Sequence, residues 1–131
     1  MLRYEVVIEE EKDIVIARQV TREAAKQMKF GIVDQTRIIT AVSELSRNIF
    51  QYAGKGYVVL EEVVENNKHG LMISFVDEGP GIQDIDYVMQ GGNSSGNGMG
   101  LGLCGSKRLM DNFSICSQLG KGTIVIIKKW L

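Results

Sequence analysis

Glu44 and Asn48 stand four residues apart in the run Ser43-Glu44-Leu45-Ser46-Arg47-Asn48-Ile49, a spacing that stacks a carboxylate and a carboxamide one turn apart on a helix. A carboxylate can accept the proton of an attacking hydroxyl or water, and a carboxamide oxygen is a hard ligand suited to Mg²⁺. A second carboxylate, Asp77, opens Asp77-Glu78-Gly79-Pro80-Gly81 directly after the apolar run Leu71-Met72-Ile73-Ser74-Phe75-Val76. At the end of a buried strand it needs hydrogen-bond donors, and an adenine exocyclic amine is one, with Gly79 and Gly81 letting a ring lie against the backbone. Nine of the 15 glycines fall between positions 79 and 105. The stretch Gly98-Met99-Gly100-Leu101-Gly102-Leu103 reads as a helix entrance in which each glycine costs roughly 0.5–1 kcal/mol relative to alanine. Close approach of a ligand is a reason to accept that cost, because bare amides at the positive end of a helix bind phosphate.

Each feature also has an ordinary reading. The glycines could form a flexible surface loop, Asp77 could start a simple Asp-Gly-Pro-Gly turn, and Glu44 and Asn48 could line a solvated helix edge. Two better-known phosphate motifs do not fit. A P-loop needs G-x-x-x-x-G-K-[ST], which neither Gly54-Lys55-Gly56 nor Gly120-Lys121-Gly122-Thr123 supplies. Gly100 to Gly105 matches G-x-G-x-x-G in form, but a polar loop precedes it where a dinucleotide fingerprint follows a strand. His69 sits in the polar stretch Glu65 to Gly70, read as a turn, and Cys104 and Cys116, with no C-x-x-C or C-x-x-H spacing, read as buried small hydrophobes.

The elements that must carry these residues follow from periodicity. Residues 2–9 are β-branched and alternate at the start, which predicts a strand. From 13 to 29, Ile14, Ala17, Ala24, Ala25 and Met28 recur at helical spacing, with Gly31 placed to end the helix in the left-handed conformation. Asp34 is the expected cap of a second helix whose stripe runs Ile38, Ala41, Val42, Leu45, Ile49 and Tyr52. With Leu45 at zero, Asn48 lies near about −60° and Glu44 near about −100°, both flanking the apolar stripe on one side. Strands are predicted at 57–65 and 71–76, a helix at 98–111, and two last strands near 113–118 and 123–130. The expected class is α/β in the α+β sandwich sense: a mixed, mostly antiparallel sheet with helices packed on one face, in one domain over 1–131.

Charge sets the partners that are unlikely. Fifteen Lys plus Arg against 16 Asp plus Glu give a net charge of −1, with no basic run for capture of nucleic acid or anionic lipid. No apolar stretch approaches the roughly 20 residues of a membrane helix, and the N-terminus lacks a secretory pattern. A cytoplasmic protein that binds neither nucleic acid nor membrane is expected.

In order, Glu44-x-x-x-Asn48, Asp77-x-Gly79-x-Gly81, Gly98-x-Gly100-x-Gly102-Leu103 and Gly122-Thr123 resemble the boxes of the GHKL (Bergerat-fold) ATP-binding family, which includes gyrase B, Hsp90, histidine kinases and MutL. The short chain and the Glu-x-x-x-Asn form of the first box resemble its anti-sigma-factor serine kinase branch, and within it the stressosome switch kinase type. The stretches SELSRNI, YAGKG, DEGPGI and KRLMD, and the ending KKW, carry the likeness.

The resemblance implies ATP and Mg²⁺ as cofactors. Asp77, supported by Thr123 and accompanied by Gly79, Gly81 and Ile82, would read the adenine. Asn48 would hold Mg²⁺, Glu44 would act as the base on a Ser or Thr hydroxyl, and the amides of Gly98, Met99, Gly100, Leu101, Gly102 and Leu103 would hold the β- and γ-phosphates. The stretch 82–97 would be a lid over the nucleotide. Implied partners are STAS-domain scaffold and antagonist proteins of the stressosome, as substrates, and a downstream output enzyme such as a PP2C-type phosphatase. A competing expectation is a nucleotide-gated clamp that switches partners without transferring phosphate. One departure from the family is that no Lys, Arg or His lies between Glu78 and Gly105, which predicts weak intrinsic nucleotide binding.

Overall fold

A computed structural model describes residues 1–81 and 99–131 of the chain. The order is β1 (Arg3–Ile8), α1 (Lys12–Gln27), α2 (Ile32–Asn48), a π-helical turn (Ile49–Ala53), β2 (Gly56–Glu65), β3 (Lys68–Asp77), α3 (Met99–Leu109), β4 (Asn112–Gln118) and β5 (Gly122–Trp130). The strands form one sheet in the order β1-β2-β3-β5-β4, and every pairing among the described residues is antiparallel.

Alternation along the strands decides which face meets the helices. Val6, Val58, Phe75, Val125 and Ile115 stand in one register row across all five strands, and the first four are buried. Leu60, Ile73 and Ile127 form the next buried row. Ala17, Ala24 and Ala25 from α1 and Ile38, Ala41, Val42 and Leu45 from α2 complete this core. The small residues of α1 allow close approach of the two helices. The other face of the sheet carries the row Val7, Tyr57, Val76, Ile124 and Cys116, in which Val7, Tyr57 and Ile124 remain 49%, 40% and 43% exposed.

Helix boundaries depart from the expectation in a physically instructive way. The left-handed residue that ends α1 is Lys29, at φ 66°, and not Gly31. Gly31 is extended, at φ −67° and ψ 164°, and serves as the N-cap of α2. Asp34 therefore lies inside the first turn of α2 and does not cap it. Its carboxylate pairs with Arg37 at 3.2 Å and with Lys129 at 3.7 Å. At its other end α2 does not run on as an α-helix to Tyr52. The chain widens into the π-turn from Ile49, closed by the Gly54 N–H donating to the Ile49 carbonyl at 2.8 Å, with Gly54 left-handed at φ 80°.

The β2–β3 connection is tighter than the predicted Asn66 to Gly70 turn. Asn66 and Asn67, at φ 52° and 65°, form the two-residue loop between paired Glu65 and Lys68, the left-handed pair that a type I′ hairpin requires. His69 is thus a strand residue opposite Val64, 3.5 Å from the Glu62 carboxylate. Neither cysteine is buried. Cys104 is half-buried and Cys116 is exposed, because Cys116 falls on the outer face of the edge strand β4.

Candidate ATP site

The candidate site lies where α2, its π-turn, the end of β3, the start of β5 and α3 converge. Leu45, Asn48, Ile49, Tyr52 and Ala53 line one side of a cavity; Phe75, Asp77, Pro80 and Gly81 line the second, and Leu103, Thr123 and Val125 close it. Apolar walls with a few polar groups among them, on Asn48, Asp77, Thr123 and Tyr52, suit a flat heterocycle that must be oriented. A π-turn is a common device at functional sites; here it ends the helix that carries Glu44 and Asn48 and presents Tyr52 and Ala53 to the cavity.

Asp77 closes β3 directly opposite Thr123 of β5. Its Oδ1 accepts the Gly79 N–H at 2.9 Å. Burial pushes the Asp77 pKa above the ordinary carboxylate value, an effect that hydrogen bonds from the Gly79 and Thr123 backbone partly offset. The Thr123 hydroxyl is shared with Ser117 Oγ at 2.8 Å, and Ser117 Oγ also donates to the Gly122 carbonyl at 3.1 Å. The turn after Asp77 is pinned from below, the Gly120 N–H donating to the Pro80 carbonyl at 2.8 Å. Gly81, at φ 78°, has room for no side chain, since a Cβ would strike the Gln118 carbonyl.

At the opposite end of the cavity the first motif meets the third. A Cβ on Gly102 would come within 3.5 Å of Asn48 Nδ2, 3.7 Å of Asn48 Oδ1 and 3.6 Å of Glu44 Oε2. Asn48 Nδ2 is buried with no hydrogen-bond partner, a costly state that a ligand acceptor would relieve. Met99, Gly100, Leu101 and Gly102 form the first turn of α3, whose amides have no acceptor within the helix. Leu103 packs into the core. Ile82, Gly98 and the stretch 82–97 read as a lid lie outside the described residues.

Arg47, absent from the residues singled out by motif, reaches the site as well. Its Nη1 donates to Glu44 Oε1 at 3.2 Å. The i, i+3 spacing of opposite charges was the available signal.

Asn48 is a fitting ligand for Mg²⁺. Its carboxamide lines the cavity and supplies a hard oxygen, Oδ1, and among the described residues no cluster of three or more His, Cys, Asp or Glu is placed to hold a metal ion. Mg²⁺ that is held by one protein oxygen, with phosphates and water supplying the rest, needs no such cluster.

Residues 33–131 match the histidine kinase-, DNA gyrase B- and HSP90-like ATPase family. The chain belongs to that family. It is the family that the ordered motifs resemble, and membership implies the use of ATP. The chain is 54% identical over 121 residues to the serine/threonine-protein kinase RsbT of Bacillus subtilis (strain 168), covering 92% of this chain and 91% of the relative. It is 33% identical over 121 residues to the anti-sigma F factor of Thermoanaerobacter sp. (strain X514), covering 88% of this chain and 83% of the relative. Among solved structures, the RsbU and RsbW domains of Rv1364c from Mycobacterium tuberculosis superpose with a TM-score of 0.70 at 15% identity, covering 98% of this chain and 32% of that one. The SiaB-SiaC complex from Pseudomonas aeruginosa gives a TM-score of 0.59 at 12% identity, covering 100% of this chain and 90% of that one. At such identities the structural likeness speaks for the fold alone. No helix among the described residues is long and apolar enough to cross a membrane.

Proposed function

We propose that the chain is an ATP-dependent serine/threonine-protein kinase that phosphorylates STAS-domain proteins of a stressosome or anti-sigma antagonist type. In this reading, phosphorylation switches the kinase from those partners to a downstream output enzyme such as a PP2C-type phosphatase. The observation that carries the reading is the approach of Gly102 to both Glu44 and Asn48, which brings a base, a hard oxygen ligand and the N-terminal turn of α3 to one point. The 54% identity to RsbT over most of both chains supports the choice of kinase within the family.

Asp77 accepts the adenine amine, with Thr123 and Gly79 holding its carboxylate and Gly81 allowing the turn to lie flat beneath the ring. The first-turn amides of α3 take the β- and γ-phosphates, and the helix dipole adds to them. Asn48 Oδ1 would hold Mg²⁺, and the ion would neutralise phosphate charge. Glu44 accepts the proton of the acceptor hydroxyl as its oxygen bonds to the γ-phosphorus. The bond from that phosphorus to the β–γ bridging oxygen breaks, and ADP leaves with the electron pair. Phosphoryl transfer asks mainly for positioning and charge stabilisation, so these few groups suffice.

The test is transfer of labelled γ-phosphate from Mg-ATP to the STAS-domain protein encoded nearest to this chain. Label on a Ser or Thr of that protein, lost in both Asp77→Asn and Glu44→Gln, is expected. No label while the partner stays bound would instead make the chain a nucleotide-gated clamp.

A further inference from the structure

The Glu44 carboxylate is held at one of its two oxygens. Arg47 Nη1 lies 3.2 Å from Oε1, while Oε2 is the oxygen nearest Gly102. Both side chains of the pair are 44% exposed, and an exposed i, i+3 pair adds only about 0.2–0.5 kcal/mol to a helix. Fold stability is therefore a poor account of why a guanidinium should stand at this point. Around α2, at about 100° per residue, Arg47 lies about 60° further from the apolar stripe than Glu44. It contacts the carboxylate from the solvent side, where a protein acceptor must arrive, and leaves the inward oxygen to the site.

We propose that Arg47 is a positioning residue for Glu44, its guanidinium fixing Oε1 so that Oε2 is presented to the acceptor hydroxyl. This rests on the reading of Glu44 as the base. A glutamate side chain with a free end samples several rotamers, and a misplacement of about 1 Å at a reacting group can cost on the order of 100-fold in rate. Fixing one oxygen removes that freedom while leaving the other available. A lysine could supply the charge but not the planar fork that sets the direction of the contact. Because Arg47 acts through Glu44, its removal should matter only when Glu44 is present. Nucleotide binding, which depends on Asp77, Asn48 and α3, should be unaffected.

The experiment compares the wild-type chain, Arg47→Ala, Arg47→Lys, Glu44→Gln and the Glu44→Gln/Arg47→Ala pair, with Mg-ATP and the STAS-domain acceptor. Arg47→Ala is expected to lower kcat by roughly 10-fold or more with the ATP dissociation constant within about twofold of wild type. Arg47→Lys should recover part of that loss, and Arg47→Ala should cause no further loss when Glu44 is already Gln. Wild-type kcat in Arg47→Ala, with Glu44→Gln slowed to a residual turnover that single-turnover labelling still reads, would overturn the positioning role alone. An equal loss in the Glu44→Gln background, or a loss appearing in ATP affinity, would overturn it too. Full activity of Glu44→Gln, or a wild-type chain that transfers no phosphate, would overturn the base and its positioning residue together.

Discussion

Gly102 of α3 faces the Asn48 carboxamide of α2, so that a methyl group on Gly102 would lie 3.5 Å from Nδ2 and 3.7 Å from Oδ1. Those are ordinary van der Waals separations, and the fold can accept the methyl. Gly102→Ala should therefore raise stability, since alanine is favoured over glycine inside a helix by about 0.5–1 kcal/mol. The same methyl occupies the space between Asn48, Glu44 and the phosphate-binding turn. Nucleotide affinity should fall roughly 10-fold, about 1.4 kcal/mol. A thermal melt and a nucleotide titration on the same variant check both halves, and a variant that is more stable yet binds equally well would remove Gly102 from the site.

Asp77→Asn separates binding from folding in the opposite way. Because burial raises the Asp77 pKa, ionisation of the carboxyl is less favoured in the folded chain than in the unfolded one. Its contribution to stability is fully present below the unfolded value near 3.8 and is lost as pH rises through the raised value. At neutral pH the asparagine variant should be at least as stable as wild type. With its Oδ1 kept on the Gly79 N–H, as in wild type, its Nδ2 would face the adenine amine, and ADP binding should weaken by at least about 10-fold. In wild type, ADP affinity should increase as pH rises through the raised Asp77 value, and the Asp77→Asn profile should lack that step. Titrations of both proteins across pH 4 to 7 isolate it, since phosphate protonation affects the two alike.

The Asn66-Asn67 loop offers a substitution that touches no site. Asn67 holds φ 65°, a conformation glycine adopts freely and other residues at a cost. Asn67→Gly should stabilise the chain by about 0.5 kcal/mol after the added freedom of the unfolded state is counted. Chemical denaturation reads the shift, and transfer activity should not change.

Lys129 is the one charged side chain in the buried set among the described residues. It pairs with Asp111 at 3.3 Å and Asp34 at 3.7 Å, and donates to the Leu109 carbonyl at the end of α3 at 3.3 Å. Asp111 also accepts the Trp130 N–H at 2.8 Å. Asp111→Ala should cost about 1–3 kcal/mol. Asp34→Ala should cost less than about 1 kcal/mol, because Asp34 is the more distant partner and part of its pairing is with exposed Arg37. Urea midpoints of the two variants give the order directly.

Much of the fold and of the candidate site is legible in the sequence. Period-two and period-three-to-four patterns located the strands and helices because side-chain alternation and helical stripes are local consequences of which residues face the core. The Glu44, Asn48, Asp77 and glycine motifs were legible because their chemistry is carried by residue type. What stayed hidden depended on choices between near-equal local solutions. Lys29 adopts the left-handed conformation that Gly31 would adopt more cheaply, freeing Gly31 to cap α2. Asp34 has the chemistry of a cap but answers to Lys129, 95 residues away in sequence. The π-turn leaves no periodic trace in five residues. Cys116 reads as apolar by type, yet the register of β4 turns it outward.

The register of Asp77 with Thr123 also dictates an order of assembly on the ribosome. β5 follows the other four strands of the sheet in chain order, but it lies inside the sheet, between β3 and β4. Until it emerges, β3 has an open edge at Asp77 and β4 has no strand to pair with. The nascent chain can pair β1, β2 and β3 as adjacent antiparallel strands, with α1 and α2, which connect β1 to β2, laid over them, but it cannot build the adenine end of the cavity. In this reading nucleotide is a ligand only of a chain that has been made past Thr123, and its binding would report that synthesis has reached β5.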